Sequence, residues 1–228
     1  SWDDLISEGI LEMNDGVVSC KMDPAEEYIP SSPTSASVEA LVGDLLFPVD
    51  GSVASVADRG FTACRGLSGV RLPDSLTRIG EEAFDSCSSL TRIDFGSGLQ
   101  SIGTWAFYYD GRIDTVTYNG GIEGWCKIDF EGSVSNPLYY HGDLYFKDTL
   151  VESIVVPDFV TDLDDSFSGC GSLKSVFIPN NSSLKSVGEG VFYWCCNETD
   201  GLTAVYIGEG VESIDGSAFL GNDFLKIL

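Results

Sequence analysis

The part of the chain that decides the fold runs from residue 67 to residue 107. Residues 67–87 read LSGVRLPDSLTRIGEEAFDSC, and residues 90–107 read LTRIDFGSGLQSIGTWAF. Each apolar position of the first passage recurs in the second after 23 residues, as Phe84 and Phe107 show. A fixed period of this length is the signature of a repeat array, in which each repeat forms one coil of a solenoid.

The same phase extends over most of the chain. Upstream, residues 53–64 match residues 76–87, and downstream the pattern returns over residues 151–219. The departures are small, and one of them is a step from Leu163 to Phe167 that is one residue short. Chance would not hold so many positions in phase, so the repeat predicts the architecture of the whole molecule.

Each repeat is expected to hold a strand, a bend and a closing turn. In L-x-x-V-x-L the apolar residues alternate, as a strand with one buried face requires. A proline such as Pro73 then ends the strand, because proline cannot donate to a ladder. The glycine of Leu-x-x-Ile-Gly is expected to relieve a backbone conformation that other residues resist. Stacked coils bury their equivalent side chains as ladders, since one coil cannot bury its apolar face alone.

The seven cysteines follow the repeat. Their number is odd, so a fully paired disulfide framework is impossible. Four of them lie three residues after a phenylalanine: Cys64, Cys87, Cys170 and Cys195. A residue type tied to one structural position is expected to be a buried packing element, because free cysteine behaves as a small hydrophobe. Redox or metal chemistry is the alternative, and Cys195-Cys196 could form a vicinal disulfide.

The pattern L-x-x-I-x-I-P-x-x-V-x-x-I-G-x-x-A-F-x-x-C resembles the BspA-type leucine-rich-repeat family of bacterial surface proteins. The resemblance covers about residues 45–228, and the segment from Tyr118 to Phe146 is similar to an insert that recurs in this family. It implies a leucine-rich-repeat solenoid, secretion or surface display, and binding to host or matrix molecules. The expected fold is a β-rich, curved right-handed coil with a parallel sheet on its concave face and a small N-terminal helix and hairpin as a cap.

We predict four segments. Residues 1–44 hold the cap and a Pro/Ser-rich loop, residues 45–118 a first leucine-rich-repeat block, residues 119–150 an aromatic insert with a hairpin, and residues 151–228 a second block. A cap is expected because the end coil of a solenoid exposes an apolar cross-section. In the cap, Asn14-Asp15-Gly16 suits a hairpin turn that needs positive φ.

Composition excludes several classes of function. The chain has 36 acidic and 12 basic residues and a net charge of −24, which argues against nucleic acid as a partner. No apolar run approaches the roughly 20 residues of a membrane-spanning helix. A single histidine, His141, and the lack of a nucleophile elbow or phosphate-binding loop argue against an enzyme and against any cofactor or metal site.

The candidate ligand-binding residues lie on the predicted strands. In L-x-x-V-x-L the x positions point away from the core and cover the sheet. The first block offers Arg71 and Arg92 there, and the second block offers Val155, Phe177 and Tyr206. Exposed aromatic residues and arginines are favoured anchors of interfaces. The alternative is that these side chains only pair with one another across strands.

The insert supplies a second candidate. Residues 119–150 are rich in aromatic residues, among them Trp125, Tyr139 and Tyr140. They either fill an enlarged coil, which we favour, or form an exposed platform that binds a glycan or a peptide. In the second case Trp125 is the expected ligand-binding residue.

Together these features predict a non-catalytic, adhesin-like module that binds a protein, with a host or matrix molecule as the partner. The alternative is a carbohydrate-binding module that uses the aromatic insert. The start of the chain, Ser1-Trp2-Asp3-Asp4, lacks the features of a signal peptide, so either the protein is intracellular or a leader has been removed. The family resemblance favours an extracellular or cell-surface location.

Overall fold

A computed structural model describes residues 2–20, 41–110, 113–132, 134–163, 165–197 and 199–226. Most of the predicted Pro/Ser-rich loop lies outside the described residues. The helices are α1 (Trp2–Ser7), α2 (Gly121–Trp125) and the 3-10 helix η1 (Pro137–Tyr140).

Seventeen strands occur in the described residues, and most are short. In chain order they are β1 (Leu11–Asn14), β2 (Val17–Cys20), β3 (Gly43–Leu46), β4 (Ser55–Val56), β5 (Leu67–Arg71), β6 (Arg78–Ile79), β7 (Arg92–Phe95), β8 (Ser101–Ile102), β9 (Thr115–Tyr118), β10 (Asp129–Phe130), β11 (Asp143–Phe146), β12 (Thr149–Leu150), β13 (Ser153–Val155), β14 (Ser175–Ile178), β15 (Ser186–Val187), β16 (Ala204–Ile207) and β17 (Ser213–Ile214).

Two rows of parallel strands run along the molecule. The longer strands form the row β3-β5-β7-β9-β11, closed by β12, and then a separate sheet β13-β14-β16. Shorter strands form the row β2-β4-β6-β8-β10, in which every strand except β2 has two residues, and then the pair β15-β17. Each coil therefore contributes one strand to a row and pairs with the coils before and after it. The predicted leucine-rich-repeat solenoid is confirmed, with about seven turns.

The register follows the sequence period. Val70, Ile93 and Val116 are direct partners on β5, β7 and β9, and all three are buried. The residues between the core positions face outward, as the two-residue alternation of a strand requires. Each pair of apolar neighbours thus buries its surface against the next coil rather than against a distant element.

Phenylalanine rings form the central ladders of the core. In the first block Phe61 stacks on Phe84 at 5.3 Å and Phe84 on Phe107 at 5.6 Å, with ring planes within 7°. In the second block Phe192 lies between Phe167 at 5.7 Å and Phe219 at 5.3 Å. These spacings come from the strand-to-strand distance of about 4.8 Å between successive coils.

The N-terminal cap continues the solenoid, as predicted. β1 and β2 form a hairpin whose turn residues, Asp15 and Gly16, have φ of 51° and 79°. β2 then pairs in parallel with β4, so the hairpin extends the row of short strands. Helix α1 places the Trp2 ring 5.0 Å from Phe47, which covers the end of the core.

The role predicted for the repeat glycines needs correction. Gly80 and Gly103 follow Ile79 and Ile102, yet neither has positive φ. A Cβ at Gly103 would lie 2.6 Å from the backbone nitrogen of Glu81, and the same clash occurs at Gly80. These glycines are needed because the backbones of successive coils approach closely there, not because the chain bends into the left-handed region.

The left-handed conformation occurs instead on both sides of the ladder phenylalanine. Two residues before it, Arg59, Glu82 and Trp105 have φ between 52° and 58°. Two residues after it the equivalent positions are Ala63, Ser86, Tyr109, Gly169, Trp194 and Gly221, all with positive φ. Only some of these are glycines, so most coils carry non-glycine residues in a disfavoured conformation.

The insert forms an enlarged coil of the same solenoid. Its strand β11 pairs with β9 in the row of long strands, with Leu144 opposite Val116. β11 and β12 form the predicted hairpin, whose turn holds Lys147 at φ 57°. Trp125, with an exposed fraction of 0%, and Leu138 lie in the core, so the insert fills its coil with its own side chains.

Candidate functional site

The outward side of the long strands is the strand face. Its central column is set by the register of the sheets. In the first sheet the column contains Leu46, Arg71, Asp94, Thr117 and Tyr145. In the second sheet it contains Val155, Phe177 and Tyr206. The hairpin β11–β12 separates the two parts, so the strand face consists of two surfaces of different chemistry.

The two arginines of the first surface are held by acidic neighbours. Arg92 binds Asp44 at 2.8 Å, across a gap left by Gly69, whose Cβ would lie 2.6 Å from the Asp44 carboxylate. Arg71 binds Asp94 at 3.2 Å, and Arg92 lies 3.8 Å from the same carboxylate. Arg71 and Arg92 therefore belong to one network of ion pairs with Asp44 and Asp94. This is the cross-strand pairing that the sequence left as an alternative.

The second surface is an exposed apolar stripe. Val155, Phe177 and Tyr206 are 58%, 43% and 46% exposed. Phe177 and Tyr206 stack at 4.6 Å with ring planes 11° apart. The Tyr206 hydroxyl lies 3.2 Å from the Asn180 amide oxygen, which fixes the outer end of the ring. The stripe is thus ordered, and its side chains remain exposed.

Trp125 is not available to a ligand. Its ring is fully buried against Tyr118, Phe130 and Phe146, and its indole N–H donates to the Ser166 carbonyl at 2.8 Å. Of the two alternatives for the insert, Trp125 therefore takes the core position that the sequence favoured, and the exposed platform, with Trp125 as a ligand-binding residue, is corrected. The coil that contains the insert is larger than an ordinary repeat, and the Trp125 ring fills its additional interior volume. The hydrogen bond of Trp125 also joins the insert to the second block.

The cysteines are packing residues. All seven are free thiols, and five of them are buried. Cys87 donates to the Phe61 carbonyl at 3.1 Å, and Cys195 donates to the Phe167 carbonyl at 3.0 Å, so the same bond joins neighbouring coils in both blocks. Burial raises the pKa of Cys170 to about 11, which keeps this thiol protonated and unreactive at neutral pH.

Asp110 occupies the cysteine position of the third coil. It is completely buried, and its two carboxylate oxygens have no hydrogen-bond partner among the described residues. Burial, reinforced by the nearby Asp85 carboxylate, raises the pKa of Asp110 well above its usual range. Sequence reasoning missed this residue, although an acid at a position that four other coils give to cysteine was a readable signal.

A cavity of about 680 Å³ lies between the insert and the closing turns of the second block. Its walls include Tyr139 from η1 and Tyr193 from the turn after Phe192, together with the acidic residues Asp165 and Glu189. No residue of the strand face lines it. Sequence reasoning did not find this site, because its residues come from turns that are distant in the chain.

Other kinds of site are absent from the described parts of the chain. They contain no group of three or more His, Cys, Asp or Glu side chains placed to hold a metal ion. His141 packs its ring 5.5 Å from the ring of Trp194. None of the described helices is long and apolar enough to cross a bilayer.

The chain belongs to the BspA-type leucine-rich-repeat family. The family model, described as "BspA type Leucine rich repeat region", matches six copies over residues 47–136 and 140–228. This confirms the family that the repeat resembled, and proteins of this type are typically found on the bacterial surface. Among curated proteins, no sequence is similar enough to match the chain.

Several solved structures of bacterial leucine-rich-repeat proteins are similar to this chain. A leucine-rich-repeat protein of T. pallidum matches with a TM-score of 0.53 and 26% identity, over 80% of this chain and 78% of that one. A leucine-rich-repeat protein from Bacteroides ovatus ATCC 8483 has a TM-score of 0.43 and 20% identity, over 90% and 53%. A leucine-rich cell surface protein from Faecalibacterium prausnitzii A2-165 has a TM-score of 0.32 and 16% identity, over 82% and 72%. The first of these supports the solenoid.

Proposed function

We propose that this chain is a non-catalytic module that acts outside the cell and binds a protein partner through the apolar stripe of the second block. The observation that carries the proposal is the alignment of Val155, Phe177 and Tyr206 on three adjacent strands, each 43% or more exposed. Contiguous exposed apolar surface is one mark of a protein interaction site, which supports the proposal.

The chemistry of the stripe suits a protein partner. Large aromatic side chains that lose little conformational freedom are frequent energetic centres of interfaces. Phe177 and Tyr206 are already fixed against each other, so binding would not have to order them. They form part of a shallow groove of about 460 Å³, which also includes Ser175 and Ala204. An apolar side chain of the partner would bury against the rings while its backbone follows the groove.

The first surface offers less to a partner. Arg71 and Arg92 already bind Asp94 and Asp44, so an incoming acidic group would have to displace an existing pair. Exchange of one exposed ion pair for another brings a net gain of less than about 1 kcal/mol. This contrast supports the second block as the place where affinity arises.

Location outside the cell is the other part of the proposal. It is supported by membership of a family whose proteins are typically bacterial surface proteins. Such a module would present its stripe to molecules of a host or of the surrounding matrix. Leucine-rich-repeat scaffolds of this type are typically non-catalytic, which supports a binding role.

The experiment compares capture by two forms of the chain. Immobilised wild-type protein is exposed to host secretions, and the retained proteins are identified and measured by mass spectrometry. The double variant Phe177→Ala, Tyr206→Ala is expected to retain at least one of these partners about tenfold more weakly, since two hot-spot rings are lost. If every captured partner binds both forms equally, the proposal is wrong.

Leu46→Ala provides the matched control. Leu46 stands in the same column of the strand face, is 55% exposed, and lies in the first block. Its removal is expected to leave retention unchanged. Each substituted side chain lies on the outside of a strand, so all variants are expected to remain folded. Circular dichroism checks this.

A further inference from the structure

The cavity beside the insert arises from two irregularities of the repeat. The row of short strands stops at β10 and resumes at β15, and residues 161–163 of the coil between them form no strand. This coil is also the one whose step from Leu163 to Phe167 is a residue short. A lengthened coil followed by a shortened one interrupts the row of short strands, and the cavity lining includes Phe130 just before this interruption and Asp165 just after residues 161–163.

The acidic wall of the cavity is held by the insert. Asp165 has φ 45°, and its carbonyl oxygen accepts a hydrogen bond from the Asn136 side chain at 2.7 Å. The adjacent Ser166 carbonyl accepts from Trp125. A Cβ at Gly190 would lie 2.8 Å from the Asp165 carboxylate, so glycine leaves the space that this carboxylate occupies. The hydrogen bond to its carbonyl oxygen therefore positions the backbone of Asp165, and Gly190 leaves room for its side chain.

The lining combines aromatic faces with negative charge. Tyr139, Tyr193 and Phe130 supply rings, Asp165 and Glu189 supply carboxylates, and the lining contains no Lys, Arg or His among the described residues. Positive charge is bound elsewhere, as in the pairs Arg59–Glu82 and Lys174–Asp200. With a net charge of −24, the molecule gives such a cavity a negative potential that attracts cations.

We propose that this cavity binds an arginine side chain of a cationic protein partner. A guanidinium group is planar, so it can stack on the face of a tyrosine ring while its N–H groups donate to a carboxylate. Tyr193 and Glu189 provide these two partners from the same turn. A volume of about 680 Å³ also leaves room for the residues on either side of the arginine. The site shares no residue with the apolar stripe, so it stands independently of the proposed function.

Other ligands fit the cavity less well. Its two carboxylates are fewer than the three groups that a metal ion would require, and the described residues contain no such group of three. An anionic glycan would be repelled by Asp165 and Glu189. A neutral sugar could stack on the rings, but it would gain nothing from the charge of the cavity.

The first test uses a matched pair of probes. The peptide acetyl-Gly-Arg-Gly-Arg-Gly-amide and its citrulline counterpart have the same shape, but only the first is charged. Titration of the full chain, followed by NMR, is expected to show the arginine peptide binding about tenfold more tightly. Raising the salt from about 0.05 M to about 0.5 M is expected to remove most of this difference. Equal binding of the two peptides would overturn the proposal.

Variants locate the binding. Tyr193→Ala is expected to weaken the arginine peptide about tenfold, whereas Tyr193→Phe keeps the ring face and therefore most of the affinity. Glu189→Gln removes one charge from the cavity, and Glu209→Gln removes one charge from an exposed position outside it. Only the first of this pair is expected to weaken binding. Equal effects of the two glutamate variants would mean that the peptide responds to net charge alone, and the proposal would fail.

A neutral probe decides against the remaining alternative. Maltohexaose is titrated under the same conditions, and no binding is expected. Binding that is lost in Tyr193→Ala would show a glycan site and overturn the assignment of an arginine ligand. Phe177→Ala should leave the peptide affinity unchanged, so that failure of this proposal and failure of the apolar stripe are read separately.

Discussion

The two repeat blocks are built from the same coil but differ in what they leave exposed. The first block keeps its 23-residue period from β5 to β9, and ion pairs such as Arg92–Asp44 occupy its strand face. The second block follows the insert, has an irregular period, and leaves the Phe177–Tyr206 stack and a cavity of about 680 Å³ open. In regular coils, exposed side chains thus find partners on the neighbouring coil. Where the period changes, some surfaces remain available to other molecules.

The physical reason is that a solenoid coil interacts only with its neighbours. When two neighbours have the same length, every strand, turn and side chain finds its equivalent, as Phe84 does between Phe61 and Phe107. When lengths differ, some groups have no equivalent. Residues 161–163 form no short strand, and Asp165, which follows them directly, lines the cavity together with Tyr139.

The largest expected effect concerns the phenylalanine ladders, which both blocks contain. Phe84→Ala and Phe192→Ala each remove a fully buried ring from between two others, so each is expected to lower the free energy of unfolding by about 4 kcal/mol. Urea denaturation measures both. A loss below about 1 kcal/mol in either variant would contradict the ladder as the source of stability. Phe159→Ala, which changes a 42% exposed ring, serves as the control.

A smaller effect is expected where the first block departs from its own pattern. Asp110→Cys introduces the residue that four other coils use and removes a buried carboxyl that has no hydrogen-bond partner among the described residues. The variant is expected to be more stable at neutral pH by about 2 kcal/mol, measured by urea denaturation. Asp110→Asn removes the charge but keeps unsatisfied polar atoms. Its free energy of unfolding should therefore lie between those of the wild type and Asp110→Cys.

The same variant has a defined pH dependence. The pKa of Asp110 is raised in the folded protein, so the folded state holds its proton more tightly than the unfolded state, whose pKa is near 3.8. Its contribution to stability is fully present below that value and is lost as the pH rises through the folded pKa. The advantage of Asp110→Cys should therefore be smallest below about pH 4 and grow with pH. An advantage that shrinks as the pH rises would contradict this account.

The smallest effect concerns the ion pairs of the first surface. A double-mutant cycle of Arg92→Gln and Asp44→Asn is expected to give a coupling of about 0.5 kcal/mol, because both side chains are close to half exposed. This coupling should decrease in high salt, as measured by thermal unfolding. A coupling above about 2 kcal/mol would show that the network stabilises the block rather than only closing its surface.

Much of the fold follows from the sequence, because the period fixes which residues become neighbours. The positions of Val70, Ile93 and Val116, the phenylalanine ladders and the N-terminal hairpin are direct consequences of spacing. The role of Gly103 does not follow in the same way. A glycine is compatible both with positive φ and with close backbone contact, and only the distance to the next coil separates the two.

The candidate site is less accessible from sequence. The apolar stripe could be located because Val155, Phe177 and Tyr206 occupy one position of the repeat. The burial of Trp125 could not, since an aromatic residue in an insert suits either a core or a platform. The cavity depends on how a long coil meets a short one, which the repeat pattern does not specify.

Because the register between regular coils is constant, the length of the solenoid can change in steps of one whole coil. Hydrogen bonds such as Arg59 to Glu82 join residues 23 apart, and removal of residues 80–102 would join Ile79 to Gly103, the residue that follows its counterpart Ile102. Whole coils could thus be excised or duplicated within the regular block with equivalent junctions. Each such change would move the cap relative to the cavity by about 4.8 Å, so the regular block acts as an adjustable spacer.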